Sequence, residues 1–341
     1  MVETVAIDFP DIQIHTRSFH EFGNSYFMRP TRRIYPANRA VVLKNARCAY
    51  CGIALTDSNR TRDHVIGRRF VPKGKLNGQW NLILNACRSC NNDKSDLEND
   101  IAAITLAPDP TGRYSHDDMA AIQEARRRAA NSISRRTKKP VQDSRETLNI
   151  GGSLGPGVTV NFSMVAPPQI DEARAFELAR LHLVAFFFMQ TYSAETCEGR
   201  WWLHGFHPVL MTRWEDWGNP VMRGFMREVE DWDNRLHAVT ADGFFKLMTR
   251  RHPSADCWAW AIEWNRSHRL IGFFGEREPA QEVVNRCPPR KRITVFEGPS
   301  QSLHYSPETA LSEDDDTLFK VPAEVEEAEK ALANNFTYRF A

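Results

Sequence analysis

The chain has 341 residues, 26% of them charged and 42% hydrophobic, which exceeds one small module and suits two or three compact units of a globular protein. The formal net charge of +1 hides an asymmetry: residues 1–150 carry 24 Lys+Arg against 16 Asp+Glu, and residues 151–341 carry 20 against 27. A basic half and an acidic half suit phosphate binding in the first, the alternative being two ordinary domains that happen to differ in charge.

In chain order, Val5-Ala6-Ile7-Asp8-Phe9 alternates and predicts a short strand, and the acids Asp8, Asp11 and Glu21 do not fit a basic targeting leader. Residues 1–44 read as an N-terminal extension, ending in a basic lead-in with Arg32, Arg33 and Arg39. A compact unit follows over 45–105. A basic linker spans 106–157, with a helix predicted over Asp117–Lys139 and a glycine-rich turn or linker at Ile150–Gly157. Residues 158–341 read as a larger α+β domain with a mainly antiparallel sheet. Its predicted parts are a strand at Val158–Phe162, a buried helix over Asp171–Tyr192, and strands at Phe244–Met248, Cys257–Trp264, Leu270–Phe274 and Ile293–Phe296. Asn265–His268 is expected to turn a hairpin. The run Leu181–Met189 is too short for a membrane span. Eight of the nine tryptophans fall between Trp201 and Trp264; core packing is the expected role, with base stacking as the alternative. The acidic run Glu313–Asp316 is expected on a solvated surface, before a helix after Pro322.

Seven cysteines are an odd number for a disulfide framework. Cys197, Cys257 and Cys287 stand alone as buried small hydrophobes, whereas Cys48/Cys51 and Cys87/Cys90 form two CxxC pairs. Four thiolates fill a zinc tetrahedron and leave no position for a reacting water, so the zinc is expected to be structural. Reduced thiols and the lack of a leader imply a cytoplasmic protein with no membrane partner. The 35 residues between the pairs contain Asp63, His64 and Asn81. A histidine near neutral pKa can take a proton from water, and a hard cation on oxygen ligands can neutralise charge at phosphorus.

Cys48-Ala49-Tyr50-Cys51, Arg62-Asp63-His64-Val65-Ile66, Asn81-Leu82-Ile83-Leu84 and Cys87-Arg88-Ser89-Cys90-Asn91-Asn92-Asp93-Lys94 together resemble the HNH nuclease family, over about residues 45–97. The resemblance implies a zinc-stapled ββα-metal module in which the Asp-His pair ends a hairpin strand and the second knuckle opens a helix. His64 is then the general base and Asn81 orders the loop behind it. Asp63 and Asn91 hold Mg²⁺ or Mn²⁺, and Lys94 matches the family's lysine. Three departures stand out: Gly67 replaces the usual proline, Gly74 with Asn77-Gly78 replaces a Gly-Gly pair, and the third motif position is Asn91 where the family commonly has His, a variant that still offers one oxygen. Arg68, Arg69, Lys73 and Lys75, with Lys94, are expected to grip phosphates. The expected function is a metal-dependent endonuclease acting on nucleic acid, DNA foremost. The alternatives are a zinc-dependent nucleic-acid-binding module that does not cut, and an effector whose acidic half restrains its basic half.

Overall fold

A computed structural model describes residues 40–155, 158–297 and 302–320. The strand expected at Val5–Phe9 and the helix after Pro322 lie outside them. The described residues form a mixed α+β structure with five α-helices and a mainly antiparallel principal sheet.

The N-terminal part is a three-stranded sheet and two helices. Strand β2 (Arg60–His64) runs antiparallel to β3 (Leu82–Cys87), with His64 opposite Ile83, and the short β1 (Val41–Val42) pairs with β3 in parallel. Helix α1 (Arg88–Thr105) follows β3 with no intervening residue. Its buried stripe of Lys94, Leu97, Ile101 and Ile104 keeps helical spacing and faces the core. Helix α2 (Met119–Asn131) starts at Asp118, whose carboxylate caps the Ala121 N–H at 3.0 Å. It is shorter than the span expected to Lys139. Residues 134–139 instead close a turn through the Ser134–Lys139 backbone bond, with Lys138 left-handed.

Residues 150–155, expected to be a linker, belong to strand β4 (Glu146–Gly155), which pairs with β5 (Val158–Ala166). Backbone pairing here outweighs the low strand propensity of glycine. Helix α3 (Glu172–Gln190) is apolar over most of its surface, as a helix buried on several sides must be. The principal sheet has the order β6 (Gly205–Arg213), β10 (His268–Gly275), β9 (Cys257–Trp264), β8 (Phe245–Arg251) and β7 (Asp233–Thr240), with every pair antiparallel. Asn265 and Arg266, both left-handed, turn the expected β9–β10 hairpin, closed by the Ser267 N–H on the Trp264 carbonyl at 3.0 Å. Helices α4 (Pro220–Glu228) and α5 (Arg277–Arg286) and a hairpin of β11 (Ile293–Glu297) and β12 (Ser302–Tyr305) complete the described elements.

Both faces of β9 are buried, and its residues alternate between two cores. Trp258, Trp260, Ile262 and Trp264 join a core with α3, α1 and β3, while Cys257, Ala259 and Ala261 pack with α4 and α5. Core packing is thus the role of these three tryptophans. The expected boundary at residue 157 does not separate two cores: Trp80 stacks on Phe186 of α3 at 5.5 Å, and Phe70 meets Trp264 edge-on at 5.5 Å. Polar fasteners reinforce the junction. Asn265 donates to the Phe70 carbonyl (3.1 Å) and the Thr105 hydroxyl (2.7 Å), and the Thr240 hydroxyl donates to the Trp80 carbonyl at 2.6 Å. The acidic run is not wholly solvated either, because Asp316 pairs at 2.7 Å with Arg269, a fully buried guanidinium that Glu263 also holds. Cys257 and Cys287 are buried as expected, and Cys197 is half-buried.

Candidate functional site

The first knuckle is a tight turn. Gly52 takes a left-handed backbone, its N–H donates to the Cys48 carbonyl at 2.9 Å, and the Cys48 N–H donates to the Ile53 carbonyl at 2.8 Å. The second knuckle is the start of α1, where Cys87 occupies the N-cap and Cys90 the first turn. Among the described residues no side chain caps this helix; the Arg88 N–H donates to the Asn59 carbonyl at 2.9 Å, and the helix N-terminus favours negative sulfur beside it. The four Sγ atoms lie within 4.8 Å of one another, and Cys51 and Cys87 are 3.7 Å apart. Zinc–sulfur bonds of about 2.3 Å in a tetrahedron put sulfurs about 3.8 Å apart, so the four thiols fit one zinc. Hydrogen bonds from its neighbours, Cys48 first, hold the Cys51 thiol far below its usual range, and bonds to Cys48 and Cys51 together with burial push Cys90 far above it. Thiols crowded this way shed their protons together only around a cation.

Immediately behind the staple lies a buried polar cluster. Asp63, near the end of β2, is 5% exposed. Its Oδ2 accepts from the Tyr50 hydroxyl, between the knuckle cysteines, and its Oδ1 accepts from Lys94 Nζ at 3.3 Å. Lys94 also donates to the His64 carbonyl (3.1 Å) and to Glu98 Oε1 (2.8 Å). Burial opposes its charge, but Glu98 and Asp63 outweigh burial and hold the ammonium above its ordinary pKa. Lys94 is 1% exposed, so the expectation that it grips nucleic acid is corrected: its register on α1 points it into the core. Glu98 accepts in addition from the Gly67 N–H at 3.2 Å. His182 of α3 lies 3.9 Å from Glu98, beyond hydrogen-bond reach; it is fully buried, and its ring nitrogens have no hydrogen-bond partner among the described residues. Tyr50, Glu98 and His182 are not singled out by the sequence, although Glu98 stands one helical turn after Lys94, a spacing that signals such a pair.

His64 is half-buried at the end of β2. Burial, then the positive charge of Arg68, lowers its pKa below 6.5 and keeps the imidazole neutral at neutral pH. Its backbone is pinned on both sides. Lys94 holds its carbonyl, and two residues on Asn81 clamps Ile66, donating to the carbonyl (2.9 Å) and accepting from the N–H (3.2 Å). Asn91, in the first turn of α1, is half-buried, and its side-chain amide has no hydrogen-bond partner among the described residues.

Magnesium needs hard oxygens at about 2.0–2.1 Å. Asn91 offers one, but both Asp63 oxygens already have donors, and an ion on Oδ1 would face the Lys94 ammonium. The expected Mg²⁺ or Mn²⁺ pair of Asp63 and Asn91 does not fit such an ion as these side chains stand. Among the described residues the four cysteines are the one group of three or more His, Cys, Asp or Glu gathered as metal ligands.

Of the expected phosphate grips, Arg68, Arg69 and Lys73 are exposed on the loop after His64. Lys75 is corrected: it pairs with Asp118 (2.7 Å) and Asp242 (3.0 Å) and lies over the Phe244 ring, so it joins the loop to α2 and the sheet. The loop is also tied to α2 by Arg128, which donates to the Arg69 carbonyl and to the Val71 carbonyl at 2.8 Å. No family model, no curated protein and no solved structure matches the chain. Among the described residues no helix is long and apolar enough to cross a membrane.

Proposed function

We propose that the chain is a phosphodiester hydrolase of the HNH kind, an endonuclease acting on DNA, with His64 as general base. The observation that carries this reading is the half-buried His64, its backbone pinned by Lys94 and its neighbour Ile66 by Asn81, beside a zinc-compatible staple and an arginine-bearing loop. A neutral imidazole takes a proton from water, the water oxygen bonds to phosphorus, the P–O3′ bond breaks in line, and the 3′ oxygen takes a proton from solvent as the imidazolium returns its own. Arg68, whose charge already acts on His64, meets the charge that develops on the phosphate oxygens. Asn81 and Lys94 serve the step by fixing the backbone around His64. Zinc would hold β3, α1 and the first knuckle together and takes no part in chemistry.

The test is plasmid cleavage by zinc-loaded protein, wild type against His64→Ala, with EDTA and with added Mg²⁺ or Mn²⁺. Nicking that disappears in the variant while zinc content and circular dichroism persist supports the assignment, and the EDTA arm decides whether a divalent cation is required. Equal cutting by both proteins removes His64 from the mechanism. Binding without cutting by either makes the chain a nucleic-acid-binding module.

A further inference from the structure

Beyond the loop that follows His64, α2 and the start of β4 border an open groove of about 270 Å³. Pro108, Pro110, Ala125, Ala129, Val141 and Pro167 give it apolar surface, beside the half-buried Tyr114. Two cations stand on its rim, Arg126 of α2 and Arg145 before β4. Both are exposed, and neither has an ion-pair or hydrogen-bond partner among the described residues. Most other arginines of this region are engaged: Arg113 with Asp109, Arg128 with Glu124, Arg135 with Asp96 and Arg136 with Glu146. The groove's one acid, Asp109, has its oxygens committed to Thr111 and Arg113, so the rim is net positive.

We propose that this groove binds a single strand of nucleic acid, with phosphates on Arg126 and Arg145 and a base against Tyr114 and the proline floor. The inference rests on the proposed function only in taking nucleic acid as the ligand. Charge complementarity points to a polyanion, and an apolar floor beside cations suits a base with its phosphate attached. Apolar surface beside cations favours the exposed base of a single strand over a duplex, whose bases are stacked inside. Arg128 fastens α2, which carries Arg126, to the loop carrying Arg68, Arg69 and Lys73.

Fluorescence anisotropy of the full, zinc-loaded chain with a labelled twelve-nucleotide single strand, as DNA and as RNA, tests the proposal beside the same DNA as a duplex. The Arg126→Ala/Arg145→Ala variant is expected to lose about tenfold in single-strand affinity, and its log–log salt dependence to flatten by about 1.4, as two lost phosphate contacts require. Arg126→Lys/Arg145→Lys is expected to restore the slope. Tyr114→Ala is expected to weaken single-strand binding about tenfold while Tyr114→Phe retains it, the signature of stacking. Neither arginine has a structural partner, so melting curves should be unchanged. Unaltered affinity and salt slope in the double alanine variant overturn the proposal even if His64→Ala abolishes cleavage. The expected losses sustain it even if no cleavage is found.

Discussion

Gly67 and Glu98 form a matched pair that a double-mutant cycle can expose. Gly67 does not have a left-handed backbone, so substitution there meets a problem of space alone. A Cβ at residue 67 would press on Glu98 Oε2 and lie 2.8 Å from its Cδ. The carboxylate cannot swing away cheaply, because it holds Lys94 at 2.8 Å and the Gly67 N–H at 3.2 Å. Breaking a buried ion pair costs about 3–5 kcal/mol. Lys94 would retain Asp63 and the His64 carbonyl, so we take the lower end, about 3 kcal/mol, for Gly67→Ala. Glu98→Ala loses the same pair and orphans the Gly67 N–H, for about 4 kcal/mol in all. Once Glu98 is gone, the methyl group introduced by Gly67→Ala has room, and the substitution recovers roughly 0.4–1 kcal/mol from the unfolded chain. The double variant should therefore be no less stable than Glu98→Ala alone, a coupling of about 3 kcal/mol or more. Urea unfolding of zinc-saturated protein, followed by circular dichroism and tryptophan fluorescence, measures it. Additivity of the two substitutions within about 0.5 kcal/mol would refute the reasoning.

Removing zinc with a strong chelator, or replacing Cys87 by Ser, should unfold the N-terminal part, since structural zinc contributes on the order of 10 kcal/mol; metal analysis should return one zinc per chain, and retained near-UV dichroism after chelation would count against the staple. Acid should destabilise the fold below pH 6.5. Burial brings His268 down to about 3 and also lowers His182, so their unfolded forms bind protons first, and stability present above 6.5 is lost as pH falls toward 3. For His268 the slope is about 1.4 kcal/mol per pH unit across that window, and a His268→Gln variant whose stability shows the same pH slope as wild type would contradict it. Cleavage, if His64 is its base, should rise with pH through a midpoint below 6.5; a midpoint above 6.5 in a pH–kcat/KM profile would contradict the burial argument. Deleting residues after 150 should give an unfolded, inactive product, because Phe70 and Trp80 then lose Trp264 and Phe186. Raised activity in soluble truncated protein would instead revive the idea of a restraining acidic half.

The parts of the site legible in the sequence are those set by local spacing. Two CxxC turns each fix a pair of thiols, and the order of Asp63, His64 and Asn81 places them on β2 and at the start of β3. What stays hidden depends on side-chain direction. Lys94 reads as one more cation in a basic stretch, yet it occupies the stripe of Leu97 and Ile101, and that register decides its fate. Lys75 reads as a free cation because its partners, Asp118 and Asp242, are 43 and 167 residues away. Gly67 reads as a loosened loop where the family carries proline. Proline has no N–H to give Glu98 and brings a Cβ where the carboxylate stands, so glycine is what this loop requires. His182 contributes from α3, which no local pattern could join to α1.

The seam between the zinc part and the sheet also fixes when the site can exist during synthesis. The cysteines from Cys48 to Cys90 are made early and can take zinc at once, but Phe70 and Thr105 find their fasteners only on the Asn265–Ser267 turn. Closure must therefore wait for more than three-quarters of the chain, an order of events that favours slow folding over non-local contacts. Until then the loop carrying Arg68 and Arg69 has its tie to Arg128 and not its anchor at Phe70, while Lys94 and Asn81 already pin the backbone around His64.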